Sequence, residues 1–121
     1  LVRIKELGCK AGVALNPATP LSAIEEIVHL LDVLLIMSVN PGYGGQKFIE
    51  YSVDKIERAR FLLDQADSGA ALEVDGGISR DTIERCWRAG ADTFVAGNAI
   101  FAAADPQAEI GILRSLCAER A

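Results

Sequence analysis

Several things are scarce in this sequence, and each shortage removes a class of protein. No uninterrupted apolar stretch approaches the roughly 20 residues that a membrane-spanning helix needs, so no membrane span is expected. Basic residues number 12 against 17 acidic ones, for a formal net charge of −5, and they form no cluster. Nucleic acid and anionic membranes are therefore poor partners. There are three cysteines, Cys9, Cys86 and Cys117, an odd number too widely spaced for a metal knuckle or a redox pair. That pattern suits a reducing, cytoplasmic setting, and all three are expected as buried small apolar residues. The single methionine is Met37, and the chain begins at Leu1 without a basic-then-apolar leader, so the sequence reads as a fragment of a longer chain rather than a processed secretory protein.

What remains is half apolar and about a quarter charged over 121 residues, enough for one compact domain that buries roughly two thirds of its unfolded surface. Apolar runs of strand length alternate with stretches of helical period four times. The strand candidates are residues 11–15, 33–39, 71–74 and 93–96. After the first, Leu21, Ile24, Ile27, Val28 and Leu31 recur at helical spacing with Glu25 and Glu26 outward. After the second, Phe48, Val53, Ile56, Ala59, Leu62 and Leu63 predict a longer helix, ended by Asp67-Ser68-Gly69. Its Asp54, Lys55, Glu57, Arg58 and Arg60 read as a solvated face with i,i+3 and i,i+4 pairs. The third helix is expected to start at Ser79, to turn Ile83, Cys86 and Trp87 inward, and to stop at Gly90. A last helix runs from about Pro106, and residues 1–8 read as the tail of an earlier one. Strands apolar on both faces and joined by helices specify a parallel sheet covered by helices.

Ligands of parallel α/β folds sit at the carboxyl ends of the strands. Here those ends read Asn16-Pro17-Ala18-Thr19-Pro20, then Asn40 through Gln46, then Asp75-Gly76-Gly77, and finally Gly97-Asn98. Glycines at such turns either shape the turn or let backbone N–H groups approach an anion, with the next helix adding partial positive charge. A phosphate held in that way needs no basic side chain, which reconciles an acidic chain with a phosphorylated ligand. Asp75, closing an apolar strand at the mouth of the sheet, suits a metal ligand, a general acid or base, or a turn cap. On spacing alone Met37 is a core filler, His29 a surface or helix-boundary residue, and Trp87 a helix-to-sheet packing residue.

The chain resembles the ribulose-phosphate 3-epimerase family along nearly all its length. The resemblance is carried by the run from Met37 to Phe48 (MSVNPGYGGQKF), by Cys9-Lys10-Ala11-Gly12 with Asn16 to Pro20, by Glu73-Val74-Asp75-Gly76-Gly77-Ile78, and by Val95-Ala96-Gly97-Asn98-Ala99-Ile100-Phe101. It implies a TIM (β/α)8 barrel of which this chain covers the last four βα units, strands five to eight, as one C-terminal half without a second domain. The implied activity is metal-dependent interconversion of D-ribulose 5-phosphate and D-xylulose 5-phosphate, a step of the pentose phosphate pathway. Two aspartates exchange protons with the substrate through an enediolate, and a divalent ion, zinc or iron first and manganese or cobalt next, stabilises its charge.

By residue matching, Asp75 is one catalytic aspartate and a metal ligand, Met37 walls the reacting centre, and Gly42, Tyr43, Gly44, Gly45, Gly76, Gly77, Gly97 and Asn98 line the substrate, chiefly its phosphate. Asn98 stands where serine is commonest and Tyr43 where phenylalanine is. The other aspartate, two metal-binding histidines and a substrate-binding serine belong to the first three strands of the family, and His29 matches neither histidine. The resemblance thus implies activity for the complete barrel, as a homo-oligomer, and none for this fragment alone. An epimerase of a longer ketose phosphate such as allulose 6-phosphate, or a non-catalytic phosphate-binding half-barrel, are the alternatives.

Overall fold

A computed structural model describes residues 1–42 and 46–118. Tyr43, Gly44 and Gly45 therefore lie outside the described residues. The elements follow in the order α1 (Val2–Glu6), β1 (Gly12–Leu15), two 3₁₀ segments (Leu21–Ala23 and Glu25–Leu30), β2 (Val33–Met37), α2 (Ser52–Gln65), β3 (Ala71–Asp75), α3 (Ile83–Ala89), β4 (Thr93–Val95), α4 (Asn98–Phe101) and α5 (Pro106–Ser115). The strands form one parallel sheet in sequence order, β1-β2-β3-β4. Four βα units in this order are half of a TIM barrel.

Side chains alternate across the sheet because successive residues of a strand point to opposite faces. Leu15, Leu34, Ile36, Leu72 and Val74 are buried on one face against Ile56, Ala59, Leu63 and Cys86 of the helical layer. The opposite face presents Val33, Leu35 and Met37 beside Ala71, Glu73 and Asp75, all half-buried. The expectation of strands apolar on both faces is thus corrected: Glu73, Asp75 and Thr93 put polar groups on the second face, where the residues of β2 and β3 are only half-buried.

The same clamp recurs at the amino end of two strand pairs. Before β2, Asp32 donates its amide to the Ala11 carbonyl (2.7 Å) and accepts the Ala11 amide on its carboxylate (2.8 Å). Before β4, Asp92 donates to the Leu72 carbonyl (2.9 Å) and accepts the Leu72 amide (3.1 Å). The Ala11 N–H holds the Asp32 carboxyl below its ordinary value, with Lys5 adding attraction. Each aspartate satisfies a donor and an acceptor of its neighbour at once, which resists a slip of register.

Five expectations are revised. Residues 21–31 form 3₁₀ turns rather than an α-helix: Ile24, Ile27 and Leu31 donate to Leu21, Ile24 and Val28, three residues back, and the apolar spacing suits either winding. The α3 helix starts at Ile83, because the Thr82 hydroxyl accepts the Ser79 amide and donates to the Gly77 carbonyl, making 79–82 a turn of its own. A short helix, α4, stands between β4 and α5, where none was expected. Cys9 is exposed, since it lies in the linker between α1 and β1 rather than in an element. Lys55 is buried instead of solvated, because it occupies the inner side of α2 with Ser52, Ile56 and Ala59.

Other features agree with the sequence. Gly90 ends α3 at φ 120°, where a Cβ would meet the Arg60 side chain. His29 is exposed, and Trp87 is half-buried on α3, lining a surface cavity with Phe94, Ile110 and Leu113. No helix among the described residues is long and apolar enough to cross a membrane.

Two tests follow from this packing. Burial pushes the Cys86 thiol up to about 11, so at pH 8 a thiol reagent is expected to label Cys9 within minutes and Cys86 only on unfolding; mass mapping of the labelled peptides checks this. The Arg80 guanidinium donates to both Glu109 carboxylate oxygens (2.8 and 2.6 Å) and holds that carboxyl below its ordinary value. A depressed folded value means stability that is complete above the unfolded glutamate range and lost as pH falls through the folded value. Urea midpoints should therefore drop more between pH 6 and pH 3 in the wild type than in Glu109→Gln.

Candidate active site

The end of β2 is welded to the end of β3 by Ser38, a fully buried residue. Its amide donates to the Asp75 carbonyl (2.9 Å) and its hydroxyl to the Gly76 carbonyl (2.5 Å), while its own carbonyl accepts the Ile49 amide (2.8 Å) as the chain returns from the glycine loop. The consequence is a row of neighbours at the carboxyl edge: Met37 pairs with Asp75, and Asp75 with Val95.

Gly76 and Gly77 then turn the chain away at φ 130° and 67°, in the left-handed region where glycine is favoured. Close packing adds to the requirement. A Cβ on Gly76 would lie 2.7 Å from the Val39 side chain, and one on Gly77 2.8 Å from Cα of Phe48. The Phe48 ring in turn lies under the Arg85 guanidinium, 5.5 Å from its centroid, and Arg85 also pairs with Glu50. That pairing raises the Arg85 value above its ordinary one. Gln46 donates to the Asn40 carbonyl, closing the base of the glycine loop.

These segments surround an open cleft of about 770 Å³. The described residues that the resemblance assigns to the site all lie on its wall: Met37, Gly42, Asp75, Gly76, Gly77, Gly97 and Asn98; the strand-end segment Asn16 to Pro20 does not. Sequence reasoning did not single out Lys47, Phe48, Ser79 or Thr82, which also line it, nor Ser38 beneath it. Lys47 supplies a cation at the rim. The apolar spacing of Phe48 fits helix packing equally well, but α2 begins only at Ser52.

Chemically the cleft offers one half-buried carboxylate, Asp75, that makes no ion pair with a described residue. On the same cleft lie Gly42, Gly76, Gly77 and Gly97 with Asn98 and Ala99 at the start of α4, whereas the Ile100 and Phe101 amides donate to the Gly97 carbonyl. No group of three or more His, Cys, Asp or Glu side chains suited to a metal is present among the described residues. Asp75 is a suitable single donor, but these residues do not by themselves make a metal site.

The sheet and its cleft define a parallel α/β protein of the barrel class, with the cleft at the carboxyl ends of the strands. The sequence profile of the Ribulose-phosphate 3 epimerase family matches residues 1–101, and the chain belongs to that family. It is similar to the ribulose-phosphate 3-epimerase of Serratia marcescens (53% identity over 102 residues, 84% of this chain and 49% of that protein). It is likewise similar to those of Aquifex aeolicus (49% over 113 residues, 93% and 51%) and Escherichia coli K12 (50% over 112 residues, 93% and 50%). The chain thus spans about half the length of the curated relatives it matches.

The strain at Gly77 generates a prediction. Gly77→Ala should lower stability by about 1–3 kcal/mol, because the added methyl meets backbone rather than a movable side-chain tip. Gly69→Ala, which meets nothing within 4 Å, should stay within about 0.5 kcal/mol of the wild type. Urea denaturation of the two variants measures the difference.

Proposed function

We propose that residues 1–121 are the C-terminal half of a barrel that epimerises D-ribulose 5-phosphate to D-xylulose 5-phosphate, and that Asp75 is one of its two proton-transfer carboxylates. The observation that carries this reading is the placement of Asp75 beside Met37 on the cleft wall, with the glycine turns on the same cleft. In the proposed reaction Asp75 exchanges a proton with the carbon next to the ketone from one face. The electron pair moves into the carbonyl to form an enediolate, and a carboxylic acid contributed by the other half returns a proton to the opposite face. Met37 gives that centre an apolar wall that limits water. The backbone N–H groups of Gly42, Gly76, Gly77, Gly97 and Asn98 seat the phosphate, as do Tyr43, Gly44 and Gly45 in this reading.

A divalent metal enters only as a property of the complete barrel, to which this chain offers Asp75 as a single ligand. The steps assigned above rest on the carboxylate and the backbone donors. Family membership and three relatives named ribulose-phosphate 3-epimerase support the substrate.

The test is turnover of D-ribulose 5-phosphate by the full-length protein, followed by ¹H NMR in D₂O so that exchange at C3 is read together with product. Asp75→Asn is expected to reduce turnover by about 10²- to 10⁴-fold with an unchanged circular dichroism spectrum. The isolated 121 residues are expected to give no turnover and no stoichiometric zinc at micromolar concentration. A wild type without turnover, an Asp75→Asn variant as active as wild type, or an active isolated half would each sink the proposal.

A further inference from the structure

Lys55 is the most unusual charge in the molecule. It projects from the buried side of α2, is only 5% exposed, and has no carboxylate within ion-pair distance among the described residues. A buried ammonium without compensation is expensive, and burial together with the nearby Arg58 charge lowers its affinity for the proton. Compensation comes from the turn after β1. Nζ donates to the carbonyls of Asn16 (3.0 Å), Pro17 (3.3 Å) and Thr19 (2.6 Å), one acceptor for each of its three protons.

The turn has reason to need an outside donor. Pro17 and Pro20 have no N–H, and the turn's own backbone bond runs from the Thr19 amide to Asn16 (3.0 Å). Its location gives the contact a purpose. The last rung between β1 and β2 joins Leu15 to Ile36, so the turn that begins at Asn16 leaves the sheet at its carboxyl edge, one residue beyond the rung before Met37, which itself pairs with Asp75. Asn16 is exposed there, at the β1 end of the row.

We propose that Lys55 is a positioning residue: its ammonium clamps the turn of residues 16–19 from the helical layer, and so fixes Asn16 at the carboxyl edge of the sheet, on the β1 side of the row that holds Met37 and Asp75. The catalytic consequence rests on the epimerase reading above, whereas the clamping of the turn does not. Because the turn follows β1 and carries none of the residues assigned to the phosphate, which come after β2, β3 and β4, loosening it acts on the chemical step and spares phosphate binding.

The experiment uses the full-length protein with Lys55→Met and Lys55→Ala. Amide exchange at Thr19 is expected to accelerate at least 10-fold and kcat to fall at least 10-fold, with the inhibition constant for inorganic phosphate within two-fold of wild type. In Lys55→Ala, n-propylammonium, which matches the deleted atoms, is expected to restore slow exchange and kcat saturably, and 1-propanol to restore neither. A folded variant with wild-type exchange and kcat overturns the proposal, as does a phosphate constant that weakens in step with kcat or a loss that n-propylammonium leaves untouched. Should both variants fail to fold, refolding of Lys55→Ala in n-propylammonium decides: recovery supports the clamp, and no recovery overturns it. If the wild type does not epimerise ribulose 5-phosphate the functional reading fails, while exchange at Thr19 and its rescue still decide whether Lys55 holds the turn.

Discussion

Ser38 is the point on which the site depends. A buried hydroxyl must find a partner, and this one, with its own amide, bonds two successive carbonyls of the neighbouring strand end. Once those bonds are made, Met37 and Asp75 share a rung, the chain beyond Asp75 is forced into the left-handed turn that only glycine follows easily, and the returning loop is drawn in by the Ser38 carbonyl. The cleft is the space these constraints leave. Its lining is set by hydrogen bonds below it more than by contacts within it.

The opposite edge of the sheet is governed by the same economy of means. Asp32 and Asp92 each answer a donor and an acceptor of a neighbouring strand, and the repetition of this device in alternate units ties register to a single side chain per strand pair. Between the two edges the core is ordinary, with Leu34, Ile36, Leu72 and Val74 packed against α2 and α3. Polar groups therefore fix where the strands lie relative to one another, and apolar burial holds the helices over them. The half-buried second face, with Glu73 and Asp75 among aliphatic neighbours, belongs to a layer that four units alone do not close.

Much of this was legible from residue order. Four alternations of strand and helix, the glycines after β2, β3 and β4, and Asp75 at a strand end are legible from spacing and turn chemistry, and the structure gathers Asp75 with Gly42, Gly76, Gly77 and Gly97 on one cleft. The misreadings have a common cause. Lys55 was assigned to solvent because lysines on an amphipathic helix usually face water, and no local pattern announces three carbonyls waiting on another element. Residues 21–31 show the apolar spacing of an α-helix, yet i,i+3 contacts alone do not choose between α and 3₁₀ winding. The number and spacing of the cysteines suggest a buried apolar role for Cys9 but say nothing of its element, and in space it lies on an exposed linker.

Sequence by itself determined the family, the order of the strands and which carboxylate and glycines follow them, because these depend on residue type, period and local turn conformation. Only the tertiary structure decided that Met37 and Asp75 stand side by side, that Phe48 closes on Gly77, and that Lys55 reaches the turn at Asn16. Those facts join residues roughly 30 to 40 positions apart, and they are settled by strand register and by where buried donors find acceptors, which no local stretch of the chain encodes.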